Sequence, residues 1–174
     1  MKPFTLHPFS GDDAPSVSVL GKIERCDNRL QIEYNLKGQE LVIVPQAAPP
    51  VRQFDLWEHT CCEFFLGILN SSKYWEFNLS PAGHWNVFRF DNYRQNIAEE
   101  MAFERLPFKV SKLGEVLQLR LQLDLDKIMT AEQSLNVGIT TVIEDRAGKL
   151  SYWALSHPGT EPDFHRRDSF AIAL

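Results

Sequence analysis

Apolar and polar residues alternate with a period of two along most of the chain, and few stretches show the 3.6-residue period of a helix. Leu30, Ile32, Tyr34 and Leu36 alternate against Arg29, Gln31, Glu33 and Asn35, so residues 29–36 read as a strand with one buried face. Residues 17–23 form its hairpin partner, with Asp27 and Asn28 in the turn. A short strand over 40–44 leads into a proline-bearing loop over 45–50, whose prolines forbid continued pairing. The run from Cys61 to Leu69 is apolar on both alternating faces, which suits a central strand. Residues 74–80 and 85–90 follow it as a meander, with turns at 70–73 and 81–83. Further strands fall at 103–110, 116–123, 136–143, around Tyr152 and at 170–174. The segment 124–133 is the best helical candidate, and 91–102 holds an irregular or helical turn. About ten short strands separated by turns imply an all-β fold. That spacing fits a sandwich or a barrel, and the expected form is an antiparallel two-sheet β-sandwich, immunoglobulin-like or jelly-roll-like, with one or two short helical turns.

The chain has 174 residues, which suits a single domain spanning 1–174. A fold of that size buries enough apolar surface to do without a covalent staple. Its three cysteines, Cys26, Cys61 and Cys62, are odd in number, and the adjacent pair points to opposite faces of a strand, so no disulfide framework is expected. The net charge of −5 and the absence of any Lys/Arg run longer than Arg166–Arg167 argue against nucleic acid as a partner. No apolar stretch near the N-terminus resembles a secretion signal, and no 18-residue apolar run occurs, so the expectation is a cytoplasmic protein without membrane contact.

Glycine-rich phosphate loops and the Gly-x-Ser-x-Gly elbow are both absent, which removes the usual support for nucleotide chemistry and serine hydrolysis. His157 and His165 flank a loop that carries Asp163 and Asp168, so a metal-assisted hydrolase would use His157, Asp163 and His165. None of the close pairs that favour chelation is present, and no metal, cofactor or catalytic residue is expected. More informative are two aromatic-plus-polar segments, Leu56-Trp-Glu-His59 with Glu63, and Tyr74-Trp-Glu-Phe-Asn78 followed by Gly83-His-Trp85. A sugar presents an apolar C–H face and a ring of hydroxyls, so its sites pair flat aromatics with carboxylates, amides and guanidinium groups. Trp57, Trp85 and Trp153 are candidate platforms. Glu58, Glu76, Asn78, Arg89 and Arg94 are candidate hydrogen-bonding groups. Alternation puts Trp75, Phe77 and Leu79 on one face, expected in the core, and Glu76 and Asn78 on the other.

The segments Leu56-Trp-Glu-His-Thr-Cys-Cys-Glu-Phe-Phe-Leu66 and Tyr74-Trp-Glu-Phe-Asn-Leu-Ser-Pro-Ala-Gly83 resemble the DOMON-like superfamily, which includes the family-9 carbohydrate-binding modules. Tyr152-Trp-Ala-Leu-Ser-His-Pro158 and the residues from Pro162 to Phe170 agree with small stand-alone bacterial members. The resemblance spans about residues 17–174 and implies a two-sheet β-sandwich that binds sugars or heme without chemistry of its own. It sets Trp57 and Trp153 at places matching the two tryptophans that sandwich a terminal sugar, and Glu63 at an acidic position on the central strand. The internal methionines, Met101 and Met129, match no heme-ligand pattern. The expected ligand site is therefore Trp57, Glu58, Glu63, Asn78, Trp153 and His157, taking a carbohydrate or another small molecule. The alternative is a protein-interaction module that pairs with a partner or with itself through exposed strand edges.

Overall fold

The computed structural model describes residues 1–9, 15–38, 47 and 49–174. The strand expected over 40–44 and half of the proline-bearing loop over 45–50 lie outside the described residues. Among the described residues twelve strands carry the fold: β1 (Lys2–Pro8), β2 (Val17–Cys26), β3 (Arg29–Gly38), β4 (Cys61–Ile68), β5 (Tyr74–Leu79), β6 (Trp85–Phe90), β7 (Ala98–Glu99), β8 (Phe108–Leu113), β9 (Val116–Asp124), β10 (Leu135–Glu144), β11 (Leu150–Ala154) and β12 (Ile172–Ala173). Every ladder between them is antiparallel, in the order β7-β6-β5-β4-β10-β11-β1-β2-β3-β9-β8, with β12 alongside β10. The all-β antiparallel architecture is thus the one that the residue pattern predicts.

β1 is the corner of the molecule. Its residues Lys2 to Leu6 pair with β2, and His7 and Pro8 then pair with Ala154 and Trp153 of β11. One strand therefore joins the β2-β3-β9-β8 group to the β11-β10-β4-β5-β6 group. The curl brings their inner faces together: Leu30, Ile32, Tyr34 and Leu36 of β3 share one buried core with Phe64, Leu66, Phe77 and Leu79 of β4 and β5. Phe64 and Phe77 stack at 4.4 Å with their planes 7° apart. Two rows of side chains at strand period, each too apolar to face water, are what force the curl.

A polar link crosses this core. The Tyr34 hydroxyl donates to the backbone carbonyl of Glu63, 2.6 Å away, and ties β3 to β4 at a fully buried point. Tyr34→Phe should keep the packing and leave that carbonyl short of a donor, at a cost of about 1 kcal/mol. Urea unfolding should show a lower midpoint at unchanged slope; an unchanged midpoint would mean that the carbonyl is satisfied without Tyr34.

Three local expectations are corrected. The segment 124–133 makes isolated turns instead of a helix. The Asn28 side-chain amide donates to Asp126 Oδ1 at 2.6 Å and to the Met129 carbonyl at 2.9 Å, and Arg25 donates to the Thr130 carbonyl, so carbonyls a helix would need are already taken. In place of a strand over 103–110, Phe103 and Leu106 fill the core from a loop and pairing starts at Phe108. Residues 91–102 hold turns and the two-residue β7 with no helix. No helix among the described residues is long and apolar enough to cross a membrane.

Candidate functional site

Strands β4, β5 and β6 alternate strictly, so the residues that do not enter the core form a second, outward face. Across the ladders, Glu63 lies opposite Asn78, and Phe65 opposite Glu76, which in turn lies opposite Phe88. Phe65, Tyr74, Phe88, Phe90 and Phe170 make a second apolar cluster on this face. Three segments rise over it: the 3-10 turn Leu56–Glu58, the loop before β7 with Arg94 and Ile97, and the loop before β12 with Phe164 and His165. Together they enclose a cavity of about 350 Å³ whose walls include Trp57, Phe88, Phe90 and Phe164 and whose polar groups are Glu63, Glu76, Arg94 and His165.

Both carboxyl groups are buried. Glu63 is 2 % exposed; its Oε2 accepts from the Thr140 hydroxyl at 3.3 Å, and its Oε1 has no hydrogen-bond partner among the described residues. Burial, reinforced by the like charge of Glu76, pushes the Glu63 carboxyl well above the usual carboxylate range. Burial also raises Glu76 to about 7, opposed by the Asn78 amide, which donates to its Oε1 at 2.9 Å, and by Arg94. Facing Glu76 Oε2 at 3.8 Å is Nε2 of His165.

The hydrogen-bond network assigns the tautomer of His165. The Tyr74 hydroxyl accepts from the Arg94 backbone N–H at 3.1 Å, which leaves its own proton for His165 Nδ1, 2.9 Å away. Nδ1 is then an acceptor, and the ring proton sits on Nε2, toward Glu76. Burial, followed by the neighbouring Arg94 charge, depresses the imidazole to about 4, so it is neutral at ordinary pH. Arg94 donates to Asp163 Oδ1 at 2.8 Å, and the same oxygen accepts the His165 backbone N–H at 3.1 Å. Asp163 thereby clasps the two loops that roof the cavity. Burial would raise its carboxyl, but hydrogen bonds from Tyr93 and Arg94 outweigh that and hold it below the usual range.

The residues singled out in the sequence divide into three groups. Trp57 and Glu63 meet in the cavity, Trp57 at its mouth with its ring edge-on to Phe88 at 6.0 Å. Asn78 is fully buried beneath the floor and acts through Glu76, while Glu58 is exposed on the same turn as Trp57 and does not line the cavity. Trp153 and His157 are not part of it. Trp153 is 5 % exposed in the main core, its indole N–H on Ser151 Oγ, because the pairing of β11 with β10 turns Tyr152 outward and Trp153 inward. Phe164 lines the cavity instead. His157 is tied by Nε2 to the His7 carbonyl at 2.9 Å, beside Phe9. Trp85 is likewise a core residue, stacked under Arg52.

His157, Asp163 and His165 do not gather into one group: among the described residues no three His, Cys, Asp or Glu side chains converge in a way that could hold a metal ion. Met129 is buried in the core and Met101 is 70 % exposed, so neither internal methionine is in the cavity. The residue that sequence reasoning missed is His165 as a member of the cavity; the aromatic walls Phe88, Phe90 and Phe164 were missed with it. Alternation on β6 could have found Phe88 and Phe90, which share a face with Glu76.

No protein-family model matches the sequence, and no curated protein matches it. Among solved structures, the chain is similar to a candidate carbohydrate-binding protein of Bacteroides uniformis, with a TM-score of 0.77 at 14% identity over 98% of this chain and 84% of that one. It is also similar to a family-9 carbohydrate-binding module of Caldicellulosiruptor kristjanssonii, solved in complex with cellotriose (TM-score 0.56, 12% identity, 88% and 72% of the two chains). The same organism's family-9 module in complex with glucose aligns at a TM-score of 0.50 and 12% identity, over 83% and 69%. At these identities the likeness shows the fold. What these structures share with the chain is the antiparallel all-β fold.

Proposed function

We propose that the protein is a carbohydrate-binding module, a sandwich of two strand groups whose outward cavity takes a sugar ring and performs no chemistry on it. The observation that carries this reading is a buried carboxyl oxygen without a hydrogen-bond partner among the described residues, Glu63 Oε1, on the floor of a cavity walled by aromatic rings. Leaving such an atom unpaired costs free energy, and a hydroxyl donor from a ligand removes that cost. Trp57 and Phe88 offer flat apolar surface to the C–H face of the ring. Glu63 and Glu76 accept from hydroxyls, while Arg94 and the Nε2–H of His165 donate to them. At about 350 Å³ the cavity is at the small end of ligand sites, which suits one or two rings better than a long chain. The structural neighbours solved with glucose and cellotriose support the same ligand class.

Calorimetric titration with mono- and disaccharides tests the reading. At least one sugar should bind, and Trp57→Ala should weaken it by roughly tenfold or more, the loss expected for an aromatic contact worth about 1.4 kcal/mol. Because Trp57 is 37 % exposed at the mouth, its removal should leave the melting temperature nearly unchanged. Undiminished affinity in Trp57→Ala would remove the cavity as the site.

A further inference from the structure

Resting on the carbohydrate reading of this cavity, we infer that the sugar it selects carries an ammonium group: the ligand class is amino sugars, with the cationic nitrogen seated between Glu63 and Glu76.

The argument starts from charge. Glu63 and Glu76 are diagonal neighbours on adjacent strands, both at least nine-tenths buried, and both line the same cavity. Like charges so placed on one face repel, and burial magnifies the cost. Buried carboxylates are ordinarily matched by a cation. Here the groups around them supply no cation of their own. Arg94, the one cationic side chain lining the cavity among the described residues, lowers Glu76 through its charge but is bonded to Asp163, whose second oxygen also accepts from Tyr93. His165 offers an N–H from a neutral ring. On the remaining sides stand Thr140, Asn78, Tyr74 and the thiol of Cys61, together with Tyr34 and Cys62 behind β4, all uncharged near neutral pH.

The free protein escapes the repulsion by keeping a proton on the pair. A neutral sugar gives the unpaired Glu63 Oε1 a hydroxyl but leaves the charge deficit as it is. An ammonium answers both, since it donates up to three hydrogen bonds and supplies the missing positive charge. The walls fit the same ligand: the faces of Trp57, Phe88 and Phe90 carry the negative end of the aromatic quadrupole and attract a cation. Binding displaces the shared proton, so affinity for the ammonium falls as pH drops below the range where the carboxyls ionise.

The test is calorimetry of the whole chain with D-glucosamine, D-glucose, N-acetyl-D-glucosamine and ethanolamine, near pH 7 and near pH 5, in two buffers of different ionisation enthalpy. Glucosamine should bind roughly tenfold or more tighter than the two neutral sugars near pH 7. That ratio should shrink near pH 5, and the apparent enthalpy near pH 7 should depend on the buffer because a proton is released. In Glu76→Gln and Glu63→Gln the ratio of glucosamine to glucose affinity should collapse, a within-variant comparison that does not depend on either variant's stability. Equal affinity for glucose and glucosamine, or a ratio indifferent to pH, overturns the inference while the carbohydrate reading stands. Ethanolamine binding as tightly as glucosamine with neither neutral sugar bound overturns the carbohydrate reading and leaves an ammonium site, such as one for a lysine side chain. No binding by any of the four overturns both.

Discussion

Near pH 5 the protein should melt at a temperature roughly 5–10 °C higher than near pH 8, the reverse of the behaviour of a domain held by exposed salt bridges. The cause is the pair of carboxyls under the cavity. Glu76 titrates at about 7 in the fold against 4.5 for the free side chain, and Glu63 is shifted in the same direction. A carboxyl with a raised folded pKa binds its proton more tightly in the native state. Stability is then greatest at acid pH and declines as pH rises from the unfolded value to the folded one, by about 1.4 kcal/mol per pH unit for each group. His165 works against this. Its folded pKa of about 4 lies below the free value of 6.5, so its contribution is complete above 6.5 and fades as pH falls toward 4. Two carboxyls against one imidazole leave a net decline with rising pH, steepest between about 6.5 and 7, where His165 no longer opposes it and Glu76 still titrates.

Differential scanning calorimetry across that range checks the expectation, with Glu63→Gln as the control. The amide keeps an acceptor for Thr140 and removes the buried charge, so the variant should melt above the native protein near pH 8 and show a flatter profile. A native melting temperature that is level or rises between pH 5 and pH 8 would show that the pair is hydrated and not desolvated.

How far this chemistry was legible in the sequence depends on the distance over which each contact is made. Strand-level facts were readable because alternation is local: Trp75, Phe77 and Leu79 enter the core, and Glu76 and Asn78 take the other face. Glu63 entered through the resemblance, at an acidic position of the central strand, and Trp57 joins it in the cavity from the short turn before β4. β1 escaped notice although Phe4 and Leu6 alternate inward, because Pro3 and Pro8 weaken its pattern, and its second ladder, to β11, joins residues about 145 positions apart. Trp153 shows the sharper limit. A shift of one residue in strand phase exchanges the two faces, and the phase of β11 is set by its ladder with β10, where Thr141 lies opposite Trp153. His165 belongs to a loop that folds back over strands formed far earlier in the chain. Nothing within ten residues of it announces Tyr74, Arg94 or Glu76 as neighbours.

Those neighbours make Tyr74 the residue whose loss should link stability to binding most directly. Its ring is fully buried and stacked on Phe90 at 4.6 Å, with the planes 1° apart, and Phe would preserve that stack. Only the hydroxyl changes in Tyr74→Phe, yet it serves two partners, the Arg94 backbone N–H and His165 Nδ1. Both would be left unpaired in a partly buried place, costing about 2–4 kcal/mol together and lowering the melting temperature by roughly 5–10 °C. The imidazole would also lose the donor that fixes its tautomer. Burial and the Arg94 charge, which hold the imidazole at about 4, persist in this variant, but the hydroxyl that donates to the neutral ring is gone, so the His165 pKa should rise, and NMR titration of the ring protons reads this directly. Affinity for the cavity's ligand should fall in parallel, since the Nε2–H would no longer be held toward Glu76. If the variant melts lower while the His165 titration and the affinity stay put, Tyr74 is a brace for the loops alone. If all three move together, the hydroxyl is what couples the roof of the cavity to the carboxyls on its floor.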